Sequence, residues 1–173
     1  MKATVARART SVVKAHASGR PLPAGEVAAR VRAGLPVTEF DALRVLLGLT
    51  VDGLAHRIGV SIATLSRRRQ GRQPLDAGHG DRLLRLARLF RLATELHDGD
   101  EAAARDWLSK PARALDGETP LDRADTETGA RQVENLIGRL EHGSALRASG
   151  DRPRAGHLNR PGPESIFPCR LLR

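Results

Sequence analysis

Residues 61–72 bring four arginines, a glutamine and three hydroxyl side chains into twelve positions. A guanidinium forks onto the edge of guanine, a carboxamide onto adenine, and a small apolar side chain covers a thymine methyl. If this stretch is an exposed helix, Arg67 suits guanine, Gln70 suits adenine, and Ile62 or Ala63 suits thymine. Ser61 and Ser66 face outward with them. Arg68, Arg69 and Arg72 are better placed for phosphates, which position a protein without reading sequence. Thr64 either meets a phosphate or supports the helix cap.

Other chemistry fails on inventory. The histidines at 16, 56, 79, 97, 142 and 157 form no pair at metal-ligand spacing. Asp98, Asp100 and Glu101 cluster at a helix start, where the helix dipole favours carboxylates without catalysis. No glycine-rich phosphate loop follows a strand, because no strand signal stands out. Cys169 is the single cysteine, so an internal disulfide and a thiolate zinc site are both excluded. The expectation is a non-enzyme with no catalytic residue, metal or cofactor, in a reducing cytoplasm. No apolar run reaches the roughly 18 residues of a membrane span. With Phe40, Phe90, Trp107 and Phe167 as the only aromatics, base stacking on single strands is disfavoured.

The elements that must position residues 61–72 are helical. Val27, Ala28 and Val31 share a face in 24–33, which Gly34-Leu35-Pro36 stops. From Glu39, Phe40, Leu43 and Leu47 recur at helical spacing, and Gly48 closes that helix. Thr50 caps a helix carrying Leu54, Ala55 and Ile58; Gly59 breaks it, and Ser61 caps the next through Arg69 or Gln70. A small residue at Ala55 and a turn glycine at Gly59, with apolar wedges at Leu54, Ile58, Val60 and Leu65, match a helix-turn-helix. The alternative is a helical hairpin within an ordinary bundle.

From Asp81 to about His97 a longer helix turns Leu83, Leu86, Ala87 and Phe90 inward. Its Arg82, Arg85, Arg88 and Arg91 drift around the cylinder and read as solvated. Glu101 to Leu108 carries an i, i+4 Glu101–Arg105 pair, with Trp107 and Leu108 inward. Thr119-Pro120 opens a short helical turn. Thr126 caps the last helix, with Ala130, Val133, Ile137 and Leu140 as its buried stripe and Gly143 as its stop. Core packing is the favoured role for Trp107, Leu108, Ala114, Leu115 and Leu121. The fold class is all-α.

Charge divides this plan. The chain of 173 residues has a net charge of +9, yet residues 93–146 hold six basic against twelve acidic groups. Residues 40–92 hold ten basic against four acidic ones. A basic block beside an acidic one suggests two jobs, one of them facing a polyanion.

The order Phe40-Asp-Ala-Leu-Arg, Leu-Gly-Leu-Thr, Leu-Ala-His-Arg-Ile-Gly-Val-Ser, Thr-Leu-Ser-Arg-Arg resembles the phage-repressor-like Xre class. Trp107-Leu108, Pro111, Ala114-Leu115, Gly117, Pro120-Leu121, Thr126, Gly129-Ala130, Val133-Glu134 and Leu136-Ile-Gly-Arg139 then follow in the order of the Xre/MbcA/ParS antitoxin family. The resemblance covers about residues 38–143, and its second half is the more specific. It implies an antitoxin that neutralises a RES-domain, NAD-consuming toxin and represses the shared promoter by binding operator DNA. It also implies that the antitoxin's C-terminal end lies near the toxin's active-site entrance; here thirty residues follow Gly143. Separately, a helix-turn-helix monomer contacts one half-site, so a dimer is expected, either a homodimer of this chain or a dimer of its toxin complex.

The resulting plan is a flexible basic segment at 1–23, a helix-turn-helix domain at 24–80, a toxin-binding domain at 81–146, and a disordered Pro/Gly/Arg tail at 147–173. Arg131, Glu134, Arg139, Glu141 and His142 point outward for the toxin, and Gly129 and Gly138 permit close helix approach. Two competing readings are a stand-alone repressor whose acidic domain only dimerises, and a localisation or plasmid-stability protein.

Overall fold

The computed structural model describes residues 10–20 and 22–148, the stretch 143–148 by its backbone alone. These residues form helices and connecting turns, plus one antiparallel bridge between Leu35 and Leu75. In chain order the helices are α1 (Val12–Ala17), α2 (Ala24–Ala33), α3 (Val37–Leu47), α4 (Val51–Ile58) and α5 (Ile62–Gln70). Then come α6 (Ala77–Leu96), α7 (Glu101–Ser109), a 3-10 turn (Arg113–Leu115), α8 (Pro120–Arg123) and α9 (Glu127–Ala148). The expected all-α class is the observed one.

Local chemistry sets the boundaries. Thr50 accepts from the Gly53 N–H at 3.1 Å and Ser61 from the Thr64 N–H at 3.1 Å, so α4 and α5 start where a hydroxyl relieves an orphan donor. Gly48 and Gly59 end α3 and α4 in the left-handed region, at φ 66° and 71°. Leu54, Ala55, Ile58, Val60 and Leu65 are all buried in the common core, as a helix-turn-helix requires.

Helix α6 is the axis of the molecule. It packs against α1, α2, α3 and α4 on one side of the chain and against α7 and α9 on the other. Its Leu83, Leu86, Ala87, Leu89, Phe90 and Ala93 all lie in one continuous core with Phe40, Leu43, Leu108, Val133 and Ile137. It begins at Ala77, a turn before the expected Asp81, because Asp76 accepts from the His79 N–H at 2.9 Å. Gly78 and Gly80 make that turn read as a loop. Gly80 is nevertheless buried, and a Cβ there would sit 3.3 Å from Val31. The expected boundary at 80/81 therefore falls inside a helix.

Several further expectations are corrected. Residues 12–17 are no mobile leader. α1 buries Val12, Val13 and Ala15 against α6 and α3. Buried Glu39 receives hydrogen bonds from the Ser11 hydroxyl (2.6 Å) and the Val12 and Val13 N–H groups (3.1 and 3.0 Å), holding the start of α1 on α3. Residues 1–9 lie outside the described residues. The α6 arginines are not merely solvated: each is tied to a carbonyl or carboxylate. Trp107 is only half-buried and Ala114 is exposed.

Helix α9 does not stop at Gly143 but runs to Ala148. Its buried stripe ends at Ile137, and Leu140, one turn on, is 40% exposed while Leu136 is buried instead. Gly129 does allow close approach, since a Cβ would fall 1.8 Å from the Arg123 carbonyl; at Gly138 nothing lies within 4 Å. Residues 147 and 148 are helical, and the rest of the expected tail, 149–173, lies outside the described residues.

Candidate nucleic-acid interface and partner surface

Helix α5 turns Leu65 into the core, and the opposite face follows from helical spacing. Ile62, Ala63, Ser66, Arg67 and Gln70 fall at i, i+1, i+4, i+5 and i+8, one stripe of the cylinder. All five are exposed, as is the capping Ser61. Ile62 is 43% exposed, unusual for its type and suited to a methyl group on a base edge. Thr64 belongs to the cap: its hydroxyl accepts from Ser61 at 2.9 Å and it is half-buried.

The four arginines separate into two pairs. Among the described residues Arg67 and Arg72 form no ion pair, and both are exposed. Arg68 donates to the Pro74 carbonyl and lies 3.6 Å from Asp76. Arg69 donates to Asp41 on α3. The two thus lock α5 to the start of α6 and to α3. Asp41 and Asp76 are the functional neighbours that sequence reasoning missed; the N-cap position of Asp76 was the available signal. Backbone donation from His79 holds the Asp76 carboxyl below the usual carboxylate range. The turn itself is held from outside. Arg82 of α6 donates to the Ile58 carbonyl at 2.9 Å, and His79 lies 3.3 Å from the Gly59 carbonyl.

The second surface is α9. Arg131 is 74% exposed and sits 3.6 Å from Glu127. Arg139 and Glu141 are exposed, and His142, also exposed, places its Nδ1 2.6 Å from the Gly138 carbonyl. Glu134 departs from the expected set: it pairs with Arg88 of α6 at 2.6 Å and is half-buried. Arg88 also reaches Glu127 at 3.2 Å, as Arg85 does at 3.1 Å. Partial burial opposes ionisation of Glu127, but hydrogen bonds from Arg88 and Arg85 outweigh it and lower its pKa. Beside α9 a polar hollow is lined by Asp116, Arg123, Gln132, Asn135 and Arg139.

Among the described residues two polar links join α7 and α8 to the helix-turn-helix half. Arg57 of α4 reaches Asp122 of α8 at 2.7 Å. Arg105 of α7 donates to the Leu46 carbonyl at 2.6 Å, pairs with Glu101 at 2.6 Å as expected, and stands 5.9 Å from the Phe90 ring centroid. Among the described residues no group of three or more potential ligands could hold a metal ion, and no helix is long and apolar enough to cross a membrane.

A capped helix-turn-helix fused through one long helix to a second helical unit is the architecture of a DNA-binding protein with an appended docking domain. The family model of the antitoxin Xre-like helix-turn-helix domain matches residues 26–88, and that of the antitoxin Xre/MbcA/ParS C-terminal toxin-binding domain matches residues 92–143. An antitoxin Xre of Photorhabdus laumondii is 37% identical over 110 residues, covering 64% of this chain and 74% of the relative. An antitoxin Xre of Yersinia enterocolitica is 31% identical over 113 residues, covering 65% and 76%. A Prs ADP-ribosylating antitoxin of a Sphingobium species is 28% identical over 118 residues, covering 62% and 74%. The chain belongs to the Xre antitoxin family and carries both a helix-turn-helix and a toxin-binding domain.

Proposed function

We propose that this antitoxin binds and neutralises a RES-domain toxin that consumes NAD, and represses its own operon through α5. The antitoxin role rests on the matched toxin-binding domain. The NAD-consuming partner is supported by the Sphingobium relative, whose name refers to ADP-ribosylation, a transfer that draws its ADP-ribose from NAD. The observation that carries the repressor half is the α5 face. Ile62, Ala63, Ser66, Arg67 and Gln70 are exposed together on a helix whose own fold occupies Arg68 and Arg69.

In this reading Arg67 and Gln70 choose bases, Arg72 and the helix start at Ser61 meet phosphates, and Arg68 and Arg69 chiefly hold α5 in place. A single recognition helix covers one half-site, so the operator complex is a homodimer with recognition helices about 34 Å apart. Arg131, Arg139, Glu141 and His142 on α9 face the toxin, while Glu134 holds α9 to α6. The chain itself performs no catalysis.

The test is co-expression with the neighbouring gene product. The antitoxin restores growth and cellular NAD and co-purifies with the toxin. Failure to bind that product, together with tight binding to a palindromic upstream site, would show a stand-alone repressor instead.

A further inference from the structure

Helix α2 buries only Val31, which packs against Gly80 of α6. Its Ala24, Gly25, Ala28, Ala29 and Arg32 are exposed. Between α2 and α6 lies a groove open to solvent, lined by Ala28 and by the half-buried Leu22, Val27, Ala77 and Leu84. Arg32 of α2 and Asp81 of α6 line it too, and both are exposed. Among the described residues neither forms an ion pair, although their neighbours Arg30, Asp76 and Arg85 all do.

Apolar side chains left half-covered in an open groove gain free energy when a partner closes over them. The surroundings say which partner. The matched toxin-binding domain begins at 92, and every residue that lines the groove precedes it. A second hollow shares Arg32 and Ala77 and continues to Arg68 and Gln73 at the end of α5, so the groove adjoins the segment leading out of the recognition helix. One free cation and one free anion on a single apolar face make that face complementary to itself. A twofold axis through the groove sets Arg32 of each copy against Asp81 of the other. The small side chains of Ala24, Gly25, Ala28 and Ala29 do nothing to hold the copies apart.

We propose that the groove between α2 and α6 is where two copies of this chain meet, closing Val27, Ala28 and Leu84 from water and pairing Arg32 of each copy with Asp81 of the other. This rests on the homodimer of the DNA-binding reading above, and it puts the contact beside the ends of the two recognition helices.

The experiment uses the full chain, free of DNA, and follows its mass by light scattering along a dilution series. The parent is a dimer. Arg32→Asp and Asp81→Arg each set like charges together at both contacts of the pair, and each weakens dimerisation by about tenfold or more. Mixed in equal amounts, the two variants recover the dimer. The carboxylate introduced at position 32 of one copy then meets the guanidinium introduced at position 81 of the other, and the second contact is the parental one. A pair formed within one copy would give no recovery on mixing. Ala28→Glu, at an exposed position, puts a charge into the closed face and leaves a monomer with the parent's helical circular dichroism. On a duplex from directly upstream of the gene that monomer binds more weakly, and the slope of log K against log salt is shallower because fewer phosphates are met at once. The proposal is overturned if the parent is a monomer throughout the series, if the three variants stay dimeric, or if the mixture dissociates like its components. Should the parent dimerise and recover on mixing yet bind no duplex, the DNA-binding reading falls and the interface stands. Should the parent bind the upstream duplex while all three variants keep its mass and affinity, the interface alone falls.

Discussion

Helix α5 with the turn after it and helix α6 carry four arginines each, and they use them in opposite ways. On α5 and the turn after it, Arg67 and Arg72 are left to solvent, while Arg68 and Arg69 brace the helix from its sides. On α6 all four are occupied within the fold: Arg82 on the Ile58 carbonyl, Arg85 and Arg88 on carboxylates of α9, and Arg91 on Glu95 at 2.6 Å. Part of the basic block in the sequence is therefore spent on part of the acidic block. The opposed charges of residues 40–92 and 93–146 describe a seam inside the molecule as well as two outer faces. A block's net charge overstates the field that a partner meets, because it counts charges that already have partners.

The contrast can be broken most strongly at the residue both halves share. Phe90 is 1% exposed in the common core, and Phe90→Ala should cost about 3–5 kcal/mol. Toxin binding and DNA binding should be lost together in one thermal transition; surviving DNA binding would show that the halves stand independently. Gly129→Ala comes next, because the new methyl meets the Arg123 carbonyl, at about 2–3 kcal/mol. Its damage lies at the α8–α9 junction, so pull-down of the toxin should fail while operator binding persists.

Arg67→Ala tests the outward use. It should cost about 1–3 kcal/mol on the specific duplex and relax one base position, with no change in melting temperature. Arg88→Ala tests the inward use: it should lower stability by about 1 kcal/mol at most, given its partial exposure, and leave the DNA salt slope alone. Within the recognition segment, Arg72→Ala should flatten that slope more than Arg69→Ala, because Arg69 is engaged by Asp41. Equal flattening would mean that Arg69 leaves Asp41 on binding.

The smallest effect is a pH dependence. Burial, and then the charges of Arg88 and Arg91, lower the pKa of His16. The carboxyls of Asp100, through the Ala103 and Ala102 N–H groups, and of Glu127 are also lowered. In each case the unfolded chain takes up its proton first as pH falls, so stability drops on acidification. The upper part of the fall begins near pH 6.5, the ordinary histidine value, and the lower part near the carboxylate range. Melts of His16→Gln should lose the upper part and keep the lower. A parent melting temperature constant from pH 8 to 5.5 would contradict a lowered pKa at half-buried His16.

Helix starts with a hydroxyl cap were legible: Thr50, Ser61, Thr119 and Thr126 each cap as their spacing implied. Those signals are local, and the chain near them carries the whole cause. What escaped depends on distant residues. α1 has Ser11 as a local cap, but it stays docked because Glu39, 28 positions on, closes over it. The first turn of α6 looks broken by two glycines until Val31 is found against one of them. The braced arginines of α5 and the occupied ones of α6 take their roles from Asp41, Asp76, Glu127 and Glu134, which periodicity cannot pair with them. Leu140 fits the buried stripe by spacing, and only the packing shows that the cover ends at Ile137.

The uninterrupted course of α6 bears on how such a protein can be recombined. The first matched domain ends at 88 and the second begins at 92, both within this helix. A crossover there would join half-helices selected against different neighbours and set Leu83, Leu86 and Phe90 against foreign cores. A fragment begun at Asp81 would discard the Asp76 cap and the buried turn at Gly80. Workable breakpoints lie in the connections before Asp76 and after His97. Exchange of toxin specificity between relatives should therefore succeed when α6 travels whole, and its companion on that journey decides which ancestral face must be rebuilt.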